Sequence, residues 1–145
     1  MGQVSAASTV LINAAPDAVL AAVADYNEVR PKILSPHYSG YEVVHGGVGA
    51  GTVVRWKLQA TKSRVRDVQA DVDVAGKTVI EKDANSSMIT NWTVAPAGTG
   101  STVTVKTSWQ GAGGVKGIFE GIFAPLGLKK IQAEVLENLK QQLEN

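Results

Sequence analysis

Residues 52–60 read TVVRWKLQA, and in this run Val54, Trp56 and Leu58 alternate with Arg55, Lys57 and Gln59. Successive side chains of a strand point to opposite faces, so this alternation predicts a strand with one dry face and one charged face. The same pattern extends outward. HYSGYEVVH (37–45) precedes it across the glycine-rich run GGVGAG (46–51). In SRVRDVQADVDV (63–74), Val68, Ala70, Val72 and Val74 oppose Asp67, Gln69, Asp71 and Asp73. A turn at Ala75-Gly76-Lys77 leads into TVIEKD, and NSS (85–87) forms the next turn before MITNWTVAP (88–96). AGTGS (97–101) then precedes TVTVKTSWQ (102–110), where Val103, Val105, Thr107 and Trp109 share a face. Short alternating strands at hairpin spacing predict an antiparallel meander.

Helical signals flank the meander. QVSAASTVLI (3–12) is a first strand, and NAAPDAVLAAVADY (13–26) begins a helix. Asn13 or Ala15 is the capping position, Pro16 suits the first turn, and Asp17 lies where the helix dipole favours negative charge. NEVRPKILSP (27–36) is bounded by Pro31 and Pro36 and allows only another brief helix. At the far end Ile131, Val135, Leu139 and Leu143 recur every four residues beside Leu128 and Leu136, which predicts a long amphipathic helix. Before it stands GGVKGIFEGIFAPLGLKK (113–130), apolar, rich in glycine and containing Pro125. Pro125 is expected to break or kink a helix near residues 121–125. Two readings stay open for Ile118, Phe119, Ile122, Phe123 and Leu126, a mobile apolar wall over a cavity or ordinary packing on the sheet, and an interfacial membrane-dipping turn could add to either.

Composition narrows the function classes. The chain has 145 residues, room for one domain with a substantial core. A net charge of +1 gives no field to draw in nucleic acid, and KSRVR lacks interleaved aromatics. The count of Cys 0 excludes disulfides and thiolate chemistry. Two histidines without cysteine do not form a metal ligand set. HGGVGAGTVV lacks the Lys-Ser/Thr ending of a phosphate loop and precedes a strand, so it reads as a glycine hairpin. No run approaches the roughly 20 apolar residues that span a bilayer, and the N-terminus is a poor signal peptide. A cytoplasmic protein without cofactor, nucleic-acid partner or stable membrane insertion is expected, its oligomeric state open.

The order of strand, two short helices, about six strands and one long helix resembles the START-like superfamily, also called SRPBCC or helix-grip. Within it the chain resembles the polyketide cyclase/dehydrase and lipid-transport family. The residues that carry this are INAAPDAVLAAVADYNEVRPKI (12–33), GAGTVVRWKL (49–58), NWTVAP (91–96), GSTVTVKTSW (100–109) and the closing helix. The resemblance spans residues 1–145 as one domain. It implies an α+β helix-grip fold, a curved antiparallel sheet of about seven strands around the C-terminal helix. It further implies a pocket between the two for a small hydrophobic molecule such as a lipid, a polyketide-like aromatic or an isoprenoid. A glycine-rich loop after the second strand would edge its mouth.

On that fold the candidate ligand-binding wall is Trp56, Leu58, Trp92, Val105, Trp109, Ile118, Phe119, Ile122 and Phe123. The tryptophans fall on the dry parity of their strands, where plain core packing is the competing reading. Arg64 and Arg66 face inward if the parity of Val68–Val74 runs backwards; a bulge or early strand end, the preferred reading, returns them to solvent. Tyr26, Tyr38, Tyr41, His37 and His45 read as surface or capping groups, and no acid–base pair is evident. A carrier without catalytic residues is therefore expected, with a cyclase- or dehydratase-type enzyme in the same pocket as the alternative. A regulatory or stress-linked protein that acts through a membrane or protein partner is a further one.

Overall fold

The computed structural model describes residues 3–61, 64–110 and 125–144, the side chains of Ala60, Thr61 and Arg64 excepted. Strand β1 (Gln3–Ile12) leads into helices α1 (Pro16–Val23) and α2 (Arg30–Ile33). Strands β2 (Tyr38–His45), β3 (Val53–Thr61), β4 (Arg64–Ala75), β5 (Thr78–Asp83), β6 (Ile89–Ala97) and β7 (Gly100–Gln110) follow. The chain ends in helix α3 (Pro125–Glu144). The strands form a 7-stranded antiparallel sheet in the order β1-β7-β6-β5-β4-β3-β2. This is the helix-grip architecture.

Local chemistry sets the helix starts. Ala15 caps α1 in an extended conformation, Pro16 takes the first turn and Asp17 meets the positive end of the dipole. Proline likewise opens α3 at Pro125, where a missing backbone N–H costs nothing. The glycine run between β2 and β3 folds back onto the α1–α2 connection. Tyr26 N donates to the Gly47 carbonyl at 2.8 Å and Gly49 N to the Ala24 carbonyl at 2.9 Å. Gly46 (φ 71°) and Gly49 (φ 71°) occupy the left-handed region this path requires.

One face of α3 lies on the sheet and buries Leu128, Ile131, Gln132, Val135, Leu136 and Leu139. Polar groups fix its position. Ser8 Oγ donates to the Lys129 carbonyl at 3.1 Å, Lys140 Nζ to the Leu11 carbonyl at 2.9 Å, and Asn138 Nδ2 to the Ile33 carbonyl at 2.9 Å. Register shifts between Ser39 and Glu42, Val43 and His45, and Gln59 and Thr61 mark irregular pairing at the β2 and β3 end. Extra residues of this kind bend a sheet. Among the described residues no helix is long and apolar enough to cross a membrane.

Leu139 is 0% exposed and Leu126 is 82% exposed. Leu139→Ala is expected to cost about 2–5 kcal/mol of unfolding free energy in urea titrations. Leu126→Ala is expected to change it by no more than about 0.5 kcal/mol.

Candidate functional site

Strand pairing aligns inward-facing residues in rows across the sheet. One row runs Val72, Glu81, Thr90, Thr107, Ala6, and the next runs Val79, Trp92, Val105, Ser8. The first row is polar at its centre. Over these rows lies a cavity of about 40 Å³. Its apolar walls are Leu34, Trp56, Leu58, Met88, Trp92 and Val105 from the sheet side and α2's end, with Leu128 and Val135 from α3. Arg30, Tyr38, Glu81, Thr90, Thr107 and Gln132 complete the lining.

The polar part is tightly organised. Arg30 Nη1 meets Glu81 Oε2 at 2.8 Å, and Tyr26 Oη donates to the same oxygen at 2.5 Å. Both side chains of the ion pair are almost fully enclosed, at 3% and 5% exposure. The Arg30 guanidinium also lies 4.5 Å from the Tyr26 ring centre and 4.7 Å from that of Trp92. Cations over aromatic faces are attracted by the ring quadrupole, more so when desolvated. Tyr41 Oη donates to the Tyr26 carbonyl at 2.5 Å and its ring stacks on Trp56 at 6.4 Å. Tyr38 meets Trp56 edge-on at 6.2 Å. On the α3 side, Gln132 Nε2 donates to the Ala6 carbonyl at 3.1 Å and to Thr107 Oγ1 at 3.2 Å. Thr107 in turn pairs with Thr90 at 2.9 Å.

Burial disfavours charge on Arg30, but the adjacent Glu81 carboxylate and Tyr26 outweigh it and raise the Arg30 pKa, so the cation is firmly held. Burial, then the Glu81 charge, pushes the Tyr26 hydroxyl far up. Tyr38 is raised chiefly by burial, and Tyr41 is pushed up to about 12, again chiefly by burial.

Of the residues named from sequence, Trp56, Leu58, Trp92 and Val105 line the cavity. Trp109 is buried opposite Val4 and is not among the lining residues. Ile118, Phe119, Ile122 and Phe123 lie outside the described residues. The indole N–H groups of Trp56 and Trp92 are buried without a hydrogen-bond partner among the described residues. Three expectations need correction. Tyr26 is neither surface nor cap: it is 0% exposed because its hydroxyl satisfies a buried carboxylate. Arg66 stays inward despite the register shift at Gln59/Thr61, with its Nε 3.9 Å from the buried Asp83 carboxylate. The side chain of Arg64 lies outside the described residues. The interior also holds a carboxylate, where no acid–base pair was evident. Arg30, Glu81 and Gln132 escaped the sequence reading. Gln132 left a signal: it stands at the centre of the spacing Leu128, Gln132, Val135, Leu139, in a core position. Among the described residues no group of three or more His, Asp or Glu side chains is placed to hold a metal.

The sheet and α3 thus leave a small, mostly apolar cavity between them, with a polar row across it. The family model described as polyketide cyclase / dehydrase and lipid transport matches residues 3–144, and the chain belongs to this family. The KanY protein, solved by NMR in solution, is 76% identical over 100% of both chains with a TM-score of 0.91. Major latex-like protein 151 from Panax ginseng shares the fold at 12% identity and TM-score 0.75, covering 99% of each chain. Zhui aromatase/cyclase from a Streptomyces species does so at 15% identity and TM-score 0.72, covering 99% of this chain and 94% of that one. No curated protein matches the chain in sequence.

Removing one partner of a buried ion pair strands the other charge. Arg30→Met is expected to destabilise the protein by about 3–5 kcal/mol in denaturant titrations, and Arg30→Met with Glu81→Met to recover most of that loss.

Alkaline titration reads the tyrosines, of which the chain has three. Their folded pKa values lie above the unfolded value of about 10, so their contribution to stability is complete below that pH. It falls away as pH rises through the folded values, with Tyr41, at about 12, the first to ionise. Tyrosinate absorbance is expected to appear only together with loss of the far-ultraviolet circular dichroism signal. A transition centred near pH 10 in protein that is still folded would contradict the burial described.

Proposed function

We propose that the protein binds, and carries, a small hydrophobic molecule between the sheet and α3. The observation that supports this is the mostly apolar cavity walled by Trp56, Leu58, Trp92, Val105, Leu128 and Val135. Binding energy would come from apolar area removed from water, at roughly 25 cal/mol per Å². The chamber of about 40 Å³ is far below the roughly 300–1,000 Å³ of occupied small-molecule sites. It is room for a few water molecules, at about 10–15 Å³ each. On this proposal the structure is the ligand-free form, and ligand uptake requires the walls to separate. The wall residues read from sequence in 111–124, Ile118, Phe119, Ile122 and Phe123, belong to the same proposal.

Glu81 favours one second reading, a cyclase- or dehydratase-type enzyme in the same chamber. Such chemistry needs an acid or base within hydrogen-bond reach of an enolisable carbon, and Glu81 brings a carboxylate to the lining. Recovery of a poly-β-ketone thioester unchanged after incubation would favour the carrier; a cyclised or dehydrated product would favour the enzyme.

Native mass spectrometry of protein purified from its own host is expected to show a retained apolar molecule. Phe119→Ala together with Phe123→Ala is expected to reduce the retained fraction at least severalfold. Ligand-free protein throughout, with no uptake of added lipids or aromatics, would overturn the carrier reading.

A further inference from the structure

Both protein contacts to the buried Glu81 carboxylate fall on one oxygen. Arg30 Nη1 and Tyr26 Oη each reach Oε2, at 2.8 and 2.5 Å. Oε1 takes no hydrogen bond from a described residue, yet it is not among the polar atoms sealed off from open space. Glu81 is among the residues that line the cavity. A carboxylate oxygen has strong acceptor capacity and offers no donor. The site therefore presents a held, unfilled acceptor to whatever occupies the chamber.

Charge selects further. Arg30 and Glu81 already neutralise one another at 2.8 Å, and Tyr26 is held in its neutral form. An anionic guest would leave one uncompensated negative charge in an enclosed apolar space, and a cationic guest one positive charge. Either costs several kcal/mol. A neutral guest adds no charge and can still donate a hydrogen bond. The hydrogen bond matters because a donor carried into the chamber unpaired would lose its water contacts without replacement.

We propose that Glu81 Oε1 is the polar anchor of the ligand site, and that the ligand is a neutral, largely apolar molecule bearing a hydroxyl group that donates to it. The apolar body lies along Trp56, Trp92, Val105 and Val135, and the hydroxyl points at β5. This assignment rests on the chamber being the ligand site, and the test separates the two ideas. Arg30 and Tyr26 are positioning residues: they hold Oε2 and so aim Oε1.

The test is a titration of the full-length protein with 2-naphthol, 2-methoxynaphthalene and 2-naphthoate, followed by tryptophan fluorescence and calorimetry. 2-Naphthol is expected to bind about tenfold more tightly than its methyl ether, the ratio implied by a hydrogen bond to a charged acceptor. 2-Naphthoate is expected to bind more weakly than 2-naphthol. In the Arg30→Met, Glu81→Met double variant the ratio of 2-naphthol to ether affinity is expected to fall to about one, since the acceptor is gone. Equal binding of 2-naphthol and the ether by the unaltered protein would overturn the Glu81 assignment and leave the chamber standing. Tightest binding of 2-naphthoate would do the same. If none of the three binds and added lipids are not taken up either, the chamber is not a ligand site and both ideas fall; uptake of lipid but of none of the three would overturn the Glu81 assignment alone. The comparison in the unaltered protein decides the matter even if the double variant does not fold.

Discussion

One buried carboxylate organises the interior. Glu81 on β5 takes the guanidinium of Arg30 from α2 and the hydroxyl of Tyr26 from the α1–α2 connection on a single oxygen. That arrangement ties the helical segment after β1 to the middle of the sheet, across 51 and 55 residues of sequence. Burying an ion pair gains little net stability, because desolvation offsets most of the Coulomb attraction. What it imposes is position: neither charge can leave the interior without stranding the other. Trp92, Tyr26 and Tyr41 then pack around that fixed point.

The same carboxylate makes the chamber chemically lopsided. Its walls are mostly aromatic and aliphatic, but the row Glu81, Thr90, Thr107 crosses the floor and ends at Gln132 on α3. On the α3 side the polar groups satisfy one another through Thr90, Thr107 and Gln132. At Glu81 one oxygen is left over. On the proposed reading, that oxygen orients an amphipathic guest. Carriage and, on the second reading, catalysis would share this floor.

Much of the frame was legible from residue order. Val54, Trp56 and Leu58 alternate so regularly that β3's buried face could be assigned without coordinates, and Leu128, Val135 and Leu139 likewise fixed the buried stripe of α3. Pro16 marked the start of α1, because proline suits the first turn of a helix. Glu81 was not legible. In TVIEKD it reads as a surface residue, and only the pairing of Val79 with Trp92 places it on the inner face. Tyr26 was misread for a similar reason: its partner is distant in sequence, so no local pattern announces its burial.

Sequence by itself determined the strand and helix pattern, the dry faces and the family resemblance, because periodicity records which side of each element meets water. Tertiary structure alone decided that Arg30, Tyr26 and Glu81 converge, that Arg66 turns inward to Asp83, and that a space of about 40 Å³ remains beneath Trp56 and Trp92. The physical reason is that ion pairing, hydrogen bonding and cavity volume depend on distances between elements. Those distances are set by sheet register and helix docking, which no single segment contains.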